Sequence, residues 1–299
     1  MLFRSKSRKN QIEIDGFRKA HILDAIAWVK YLIYIEESIK HGIDFTEWQL
    51  TQKFIEFKRE STYYVAESFA PIVASGENGA SPHYEPKESS KNLIKDGVLL
   101  TDSGSHYLFG TTDTTRTICL GHADKSVKTD FTYVLKGLIN LSKAVFPKGS
   151  RGSSLDILAR GEVCKSGKLY LHGTGHGVGH YLPVHEGPQS IRMEENPVTL
   201  EVGMVQSNEP AIYVEGEYGI RTENLILVKL REETRYGSFY EFETLTFVPI
   251  EKSLIDKSLM NSEEIIWLNA YHTSVYEKLS PYLSKDSREW LKLKCSPLD

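Results

Sequence analysis

The chain has 299 residues, 40% hydrophobic and 25% charged, with 36 basic and 40 acidic side chains that leave a formal charge of −4. A fold of that size buries roughly 75% of the surface its unfolded chain exposes, so disordered and fibrous classes are excluded and no disulfide framework is needed. The one basic run, Arg4-Ser5-Lys6-Ser7-Arg8-Lys9, reads as a solvated terminus, and no nucleic-acid partner is expected. Cys119, Cys164 and Cys295 are odd in number and lack metal-type or redox-type spacing, which suits reduced thiols in a cytoplasmic protein. The apolar stretch from Ala25 to Ile35 is interrupted by Lys30 and is too short to span a bilayer, and the first residues lack a signal-peptide core. Neither membrane insertion nor secretion is expected.

In chain order, Asp15 is placed to cap a helix running to about Lys40, with Phe17, Ala20, Leu23, Ala27 and Ile33 near helical spacing and Gly42 just past its end. Thr46 and Gln49 form a capping box for a second helix to about Arg59. Pro71 to Ala74 reads as a strand, followed by a polar segment to Lys95, then strands over Gly97–Asp102 and Leu108–Leu120. A helix fits Lys128–Val145, ended by Phe146-Pro147-Lys148-Gly149, and a shorter one fits Ser154–Val163. The Gly- and Pro-rich stretch from His172 to Ile212 favours loops and strands. Strands return over Met204–Val214, Tyr218–Leu230 and Tyr240–Ile250, and a helix capped by Asn261 with Glu264 closes the chain. This order points to an α+β fold with a largely antiparallel sheet.

The residues that carry chemistry are separated in sequence. If the chain folds back at Tyr107-Leu108, Asp102 and Asp113 stand opposite each other with Cβ atoms roughly 4.5–5.5 Å apart. Glu209 and Glu223 repeat the geometry about Gly216, a residue suited to a tight reversal. Facing carboxylates repel unless a proton or a cation neutralises them, and four of them could supply the oxygen ligands of two hard cations. Either pair alone is common on solvated strands. The run Thr111-Thr112-Asp113-Thr114-Thr115-Arg116, however, sets an acid among β-formers with no lysine nearby. A third element joins them: four of the ten histidines, His172, His176, His180 and His185, fall within fourteen positions interleaved with glycines. Alternate glycines disfavour a helix and let backbone approach a ligand, while neutral imidazole suits a divalent metal.

Asp102-Ser103-Gly104, the run Gly110 to Thr117, His172-Gly173-Thr174-Gly175-His176-Gly177-Val178-Gly179, Val184-His185-Glu186-Gly187-Pro188, Asn208-Glu209-Pro210 and Gly219-Ile220-Arg221-Thr222-Glu223-Asn224 occur in order. Together they resemble the catalytic domain of the aminopeptidase P (Xaa-Pro aminopeptidase) family of pita-bread metallopeptidases. The likeness runs from about Asp15 onward and includes the segment near Trp267 to His272, which is similar to the C-terminal extension of the longer members.

The resemblance implies an α+β pita-bread (creatinase/aminopeptidase) fold with pseudo-twofold symmetry, a curved, mostly antiparallel sheet covered by helices. It implies a catalytic domain over residues 15–250, a helical extension over 251–299 packed on it, and an N-terminal remnant or linker over 1–14. Asp102 and Asp113 would bind one metal, His176 and Glu209 would complete a second site, and Asp113 and Glu223 would bridge. The ions would be Mn²⁺, with Zn²⁺ or Co²⁺ as alternatives. His83, His172, His185 and Arg221 match positions around the metals and the substrate. Glu209 would move the proton, with His185, His83 and His172 assisting, so that a metal-bridging hydroxide cleaves the bond before a penultimate proline. A cytoplasmic homodimer acting on peptides is implied. Rival readings are a prolidase-type Xaa-Pro dipeptidase and a metal-free binding module on the same fold. Longer members carry N-terminal domains ahead of this region. Ser207-Asn208 precedes Glu209 where threonine is common, and no contact of Ser207 with a ligand atom is expected.

Overall fold

The computed structural model describes residues 2–90, 93–94, 96–181 and 183–299. Lys95, the expected end of the polar segment, lies outside them. The long helix spans Gln11–Lys40 and starts ahead of the expected Asp15 because a better cap precedes it. Asn10 accepts from the Glu13 amide at 3.0 Å, and the Glu13 carboxylate accepts from the Asn10 amide at 2.8 Å, which satisfies two end donors reciprocally. Asp15 lies inside the helix, accepting from Gln11 and Arg18. The Thr46–Gln49 capping box does open the second helix, Glu47–Arg59.

The chain then repeats a plan of two helices and antiparallel strands. After the first helix pair come Ile72–Ser75, Val98–Ser103 and Thr114–Cys119, hydrogen-bonded in that order. After the helices Lys125–Ser142 and Asp156–Lys165 come Val205–Asn208, Asn224–Thr234 and Gly237–Thr244, again in order. The expected helix end at Val145 is corrected. Val145–Pro147 is an edge strand on Phe239–Glu241, with Phe146 turned inward between its exposed neighbours. A further strand, Tyr64–Glu67, pairs with Ser105–Tyr107 and was not expected. The stretch expected as one strand from Leu108 is broken, resuming at Gly110–Thr111 and Thr114–Cys119. Among the described residues every strand pair is antiparallel.

The main core joins the two helix pairs to the C-terminal helices Ser262–Leu279 and Lys285–Lys294, which bury Leu268, Val275, Leu279 and Leu291 in it. At its centre Phe54 stacks on Tyr31 at 4.3 Å and meets the edge of Trp28 at 4.7 Å. Arg116 ties the C-terminal part to the sheet. Its buried guanidinium donates to the carbonyls of Thr115, Glu223, Val248 and Pro249, to Asn224 Oδ1 and to the Tyr271 hydroxyl, all within 2.6–3.2 Å. With every donor directed, this buried cation is a rigid strut between Glu223 and the last helices. Among the described residues no helix is long and apolar enough to cross a membrane.

Candidate metal centre

The first acid pair forms by a register that differs from the expected one. Asp102 faces Thr115 and His106 faces Thr111, so the reversal is centred on Leu108-Phe109. Asp113 occupies the unpaired joint between Gly110–Thr111 and Thr114–Cys119. A slip of two residues keeps a side chain on its face, and both carboxylates open into the same cavity. The second pair follows the expected arithmetic: Ala211 faces Arg221 and Ile212 faces Ile220, centred on Gly216, whose φ of +74° suits glycine. Glu209 and Glu223 stand just beyond the two ends of that hairpin.

His176 arrives on the two-residue strand Gly175–His176, paired with Ser190–Ile191. Gly175 makes this approach possible, since a Cβ there would lie 2.0 Å from the Ser207 carbonyl oxygen. The His176 Nδ1–H donates to the Gly177 carbonyl at 3.1 Å, which turns Nε2 toward the acids. That nitrogen lies 3.4 Å from Asp113 Oδ2 and 3.4 Å from Glu209 Oε1.

Asp102, Asp113, His176, Glu209, Glu223, His83, His172, His185 and Arg221 line one cavity of about 550 Å³, whereas His180 of the histidine cluster lies outside that lining and donates from Nε2 to the Phe109 carbonyl at 2.6 Å. Single ligand atoms of Asp113, His176 and Glu223 lie within 4.8 Å of one another. Burial and the neighbouring charge of Asp102 raise the Asp113 carboxyl to about 7, against the hydrogen bond from His176. Burial and the charges of Asp113, Glu209 and Asp102 push Glu223 well above the ordinary carboxylate range, although Thr115 Oγ1 donates to it at 2.7 Å. Burial alone would lower His176. The bond to Asp113 and the charges of Glu209 and Asp113 outweigh it and bring the imidazole to about 9. Asp102 Oδ2 accepts from Arg221 at 2.7 Å, while its buried Oδ1 has no hydrogen-bond partner among the described residues. Four carboxylates, one with an orphaned oxygen, outnumber the one guanidinium and one imidazole beside them, and divalent cations fit this donor set.

The surrounding residues are ordered by contacts that sequence reasoning did not find. His185 sits edge-on to His176 at 4.2 Å, and burial with that neighbour's charge lowers its pKa. His172 is not free to meet a substrate through either nitrogen. Nδ1–H donates to the Gly173 carbonyl at 2.8 Å and Nε2 accepts from the Tyr213 hydroxyl at 3.0 Å. Tyr213 in turn accepts from Arg221 at 2.5 Å. Exposed His83 stands on a loop held from below by buried Glu47, which accepts from the Ser75 amide at 2.7 Å, from Asn78 at 3.1 Å and from the Tyr84 hydroxyl at 2.6 Å. The expectation for Ser207 is corrected: its hydroxyl donates to Glu209 Oε1 at 2.9 Å. Nothing in a single sequence marks Glu47, Ser207 or Tyr213, because each works through a neighbour distant in the chain or turned by the pleat.

Fold and site together define an α+β protein of the pita-bread class with a carboxylate-rich candidate metal centre. Residues 15–230 match the model of metallopeptidase family M24 and residues 238–298 match the model of its C-terminal region, and the chain belongs to this family. It is 43% identical over 301 residues to a Laccaria bicolor protein named "Probable Xaa-Pro aminopeptidase P", covering 98% of this chain and 47% of that one. The crystal structure of X-prolyl aminopeptidase from Caenorhabditis elegans, described as a cytosolic enzyme with a di-nuclear active site, superposes with a TM-score of 0.95 at 40% identity. It covers 100% of this chain and 50% of that one. A Xaa-Pro dipeptidase from Bacillus anthracis superposes with a TM-score of 0.67 at 28% identity, over 84% of this chain and 64% of that one. The chain thus spans about half the length of the curated relatives it matches.

Proposed function

We propose that this chain is the catalytic region of a dinuclear-metal aminopeptidase that releases an N-terminal residue standing before a penultimate proline. The observation that carries the proposal is the convergence of Asp102, Asp113, His176, Glu209 and Glu223 on one cavity, with a buried carboxylate oxygen left unpaired. These five side chains would hold two divalent cations, for which we propose Mn²⁺. When bound, such ions acidify water and polarise a scissile carbonyl.

The protein's own residues do the rest. Glu209 lines the cavity beside His176 and is the group we assign to carry a proton to the leaving proline nitrogen. His185 and His172 are depressed in pKa and neutral near pH 7, so neither adds charge that would repel a cation. His185 and His83 line the cavity and are assigned to donate hydrogen bonds to the substrate backbone or the developing oxyanion. Arg221 holds Asp102 and Tyr213, and His172 acts on the substrate side through Tyr213. We further propose residues 15–250 as the catalytic unit and 251–299 as an extension packed on it, in a cytoplasmic homodimer; residues 11–14 are the first turn of the helix Gln11–Lys40 and run on into that unit.

The test is hydrolysis by the Mn²⁺-loaded protein of a peptide of three or more residues with proline second, beside a Xaa-Pro dipeptide and a peptide with alanine in place of proline. Release of the first residue from the longer proline peptide alone supports the proposal. Cleavage confined to the dipeptide makes the chain a prolidase. No cleavage by protein carrying two ions refutes both.

A further inference from the structure

The Ser207 hydroxyl sits between two of the proposed ligands and has one proton to give. It accepts from the His176 backbone amide at 2.9 Å, and that acceptance leaves its own proton directed at Glu209 Oε1, also at 2.9 Å. Both residues are carried by close packing of two backbones. Glu209 donates its amide to the Thr174 carbonyl at 2.9 Å, and Gly175 is pressed against the Ser207 carbonyl. The serine is fully buried on Val205–Asn208, so no solvent competes for its proton.

We infer that Ser207 is a positioning residue: an amide–hydroxyl–carboxylate relay from His176 fixes the Glu209 side chain by its Oε1 and leaves Oε2 for a cation or a proton. The relay couples two ligands on different stretches of chain, His176 on the strand Gly175–His176 and Glu209 just past the end of Val205–Asn208, so a change in one is felt by the other. It is polarised in one direction, since the amide cannot accept, and the charge on Glu209 strengthens the second bond. This inference rests on the dinuclear reading above. Deleting the hydroxyl leaves the His176 amide and one carboxylate oxygen without these partners in a buried place, and the carboxylate is free to turn.

The experiment is calorimetric titration of the metal-free chain with Mn²⁺ for wild type, Ser207→Ala and Ser207→Thr, with the melting temperature of each measured to establish folding. Ser207→Ala is expected to bind one of the two ions about 10–100-fold more weakly, as loss of an outer hydrogen-bond partner does elsewhere. Ser207→Thr keeps the donor and is expected to stay within about threefold of wild type, a margin far below that loss. In turnover, Ser207→Ala lowers kcat while KM stays near wild type. Undiminished binding by Ser207→Ala, or an equal loss in Ser207→Thr, overturns the inference alone. A wild-type chain that takes up no ion overturns the dinuclear reading and the relay with it.

Discussion

Replacing Glu223 by Gln is expected to stabilise the metal-free protein while removing its response to metal. The carboxyl is 1% exposed, and burial comes first among the causes that raise its pKa, followed by the charges of Asp113, Glu209 and Asp102. In an open chain it would titrate near 4.5. Because the folded value is the higher one, the fold keeps a proton that the unfolded chain releases. The resulting penalty is absent below pH 4.5 and grows as pH rises. The penalty of holding an ionisable group in so unfavourable a buried setting is on the order of 3 kcal/mol. Glutamine removes it, keeps an oxygen for Thr115 to donate to, and can offer its amide to the neighbouring acids. For a chain of this size that corresponds to a rise on the order of 5–10 °C in melting temperature. Wild type is expected to gain a similar amount only when ions bind, since a ligand at 100 times its Kd contributes about 2.7 kcal/mol. The assay is thermal unfolding of both proteins with chelator and with Mn²⁺, at pH 5 and pH 7.5. The variant should melt higher than wild type in chelator, by more at pH 7.5 than at pH 5, and should lose most of the Mn²⁺ shift. A variant that melts below wild type in chelator, or that keeps the full shift, refutes the reasoning.

Arg116→Met strips six acceptors of their buried donor and should cost about 3–5 kcal/mol in denaturant unfolding. It should also weaken cation binding, because the Glu223 carbonyl is one of the six. Gly219→Ala sets a Cβ 1.7 Å from the Gly79 carbonyl oxygen, backbone against backbone, and should destabilise by about 3 kcal/mol and raise KM by displacing the loop that carries His83. Burial lowers His21 to about 4, so its contribution is intact above pH 6.5 and falls away as pH drops toward 4. That amounts to about 2 kcal/mol by pH 5, and His21→Leu should flatten this part of an acid denaturation curve. Lowering of His272 to about 3 acts in the same direction.

The parts of the fold that were legible in the sequence are those decided by local chemistry. Thr46 with Gln49 and Asn261 with Glu264 cap the helices they announce, because a capping box needs only four consecutive residues. Gly216 centres its hairpin because a positive φ is a property of that one residue. Errors arose where alternatives compete over longer distance. Asp15 is a fair cap, but Asn10 with Glu13 is a better one. Val145 could extend a helix, yet Phe146 gains more by pointing into the second core beneath the edge strand. The strand Tyr64–Glu67 pairs along its length with Ser105–Tyr107, some forty residues away, and no local pattern announces that partner.

The same division runs through the site, and it explains why the ligand positions stood out while their supports did not. A buried acid without a cation is costly, so Asp113 among threonines and the glycine-spaced histidines are visible departures from ordinary composition. Supports such as Ser207 and Glu47 satisfy every local rule: a serine in a strand and a glutamate in the first turn of a helix call for no explanation. Their function exists only in the fold, where the serine proton has one direction to go and the glutamate meets Ser75, Asn78 and Tyr84 at once. The crowding that raises Asp113 and Glu223 is held in place by Arg116, which bonds the Glu223 carbonyl, and by the close backbone approach at Gly175, which opposes the acids moving apart. A fold that cannot relieve such repulsion by moving its acids apart must neutralise them with protons or with cations, so ions that bind there displace protons and their uptake should strengthen as pH rises.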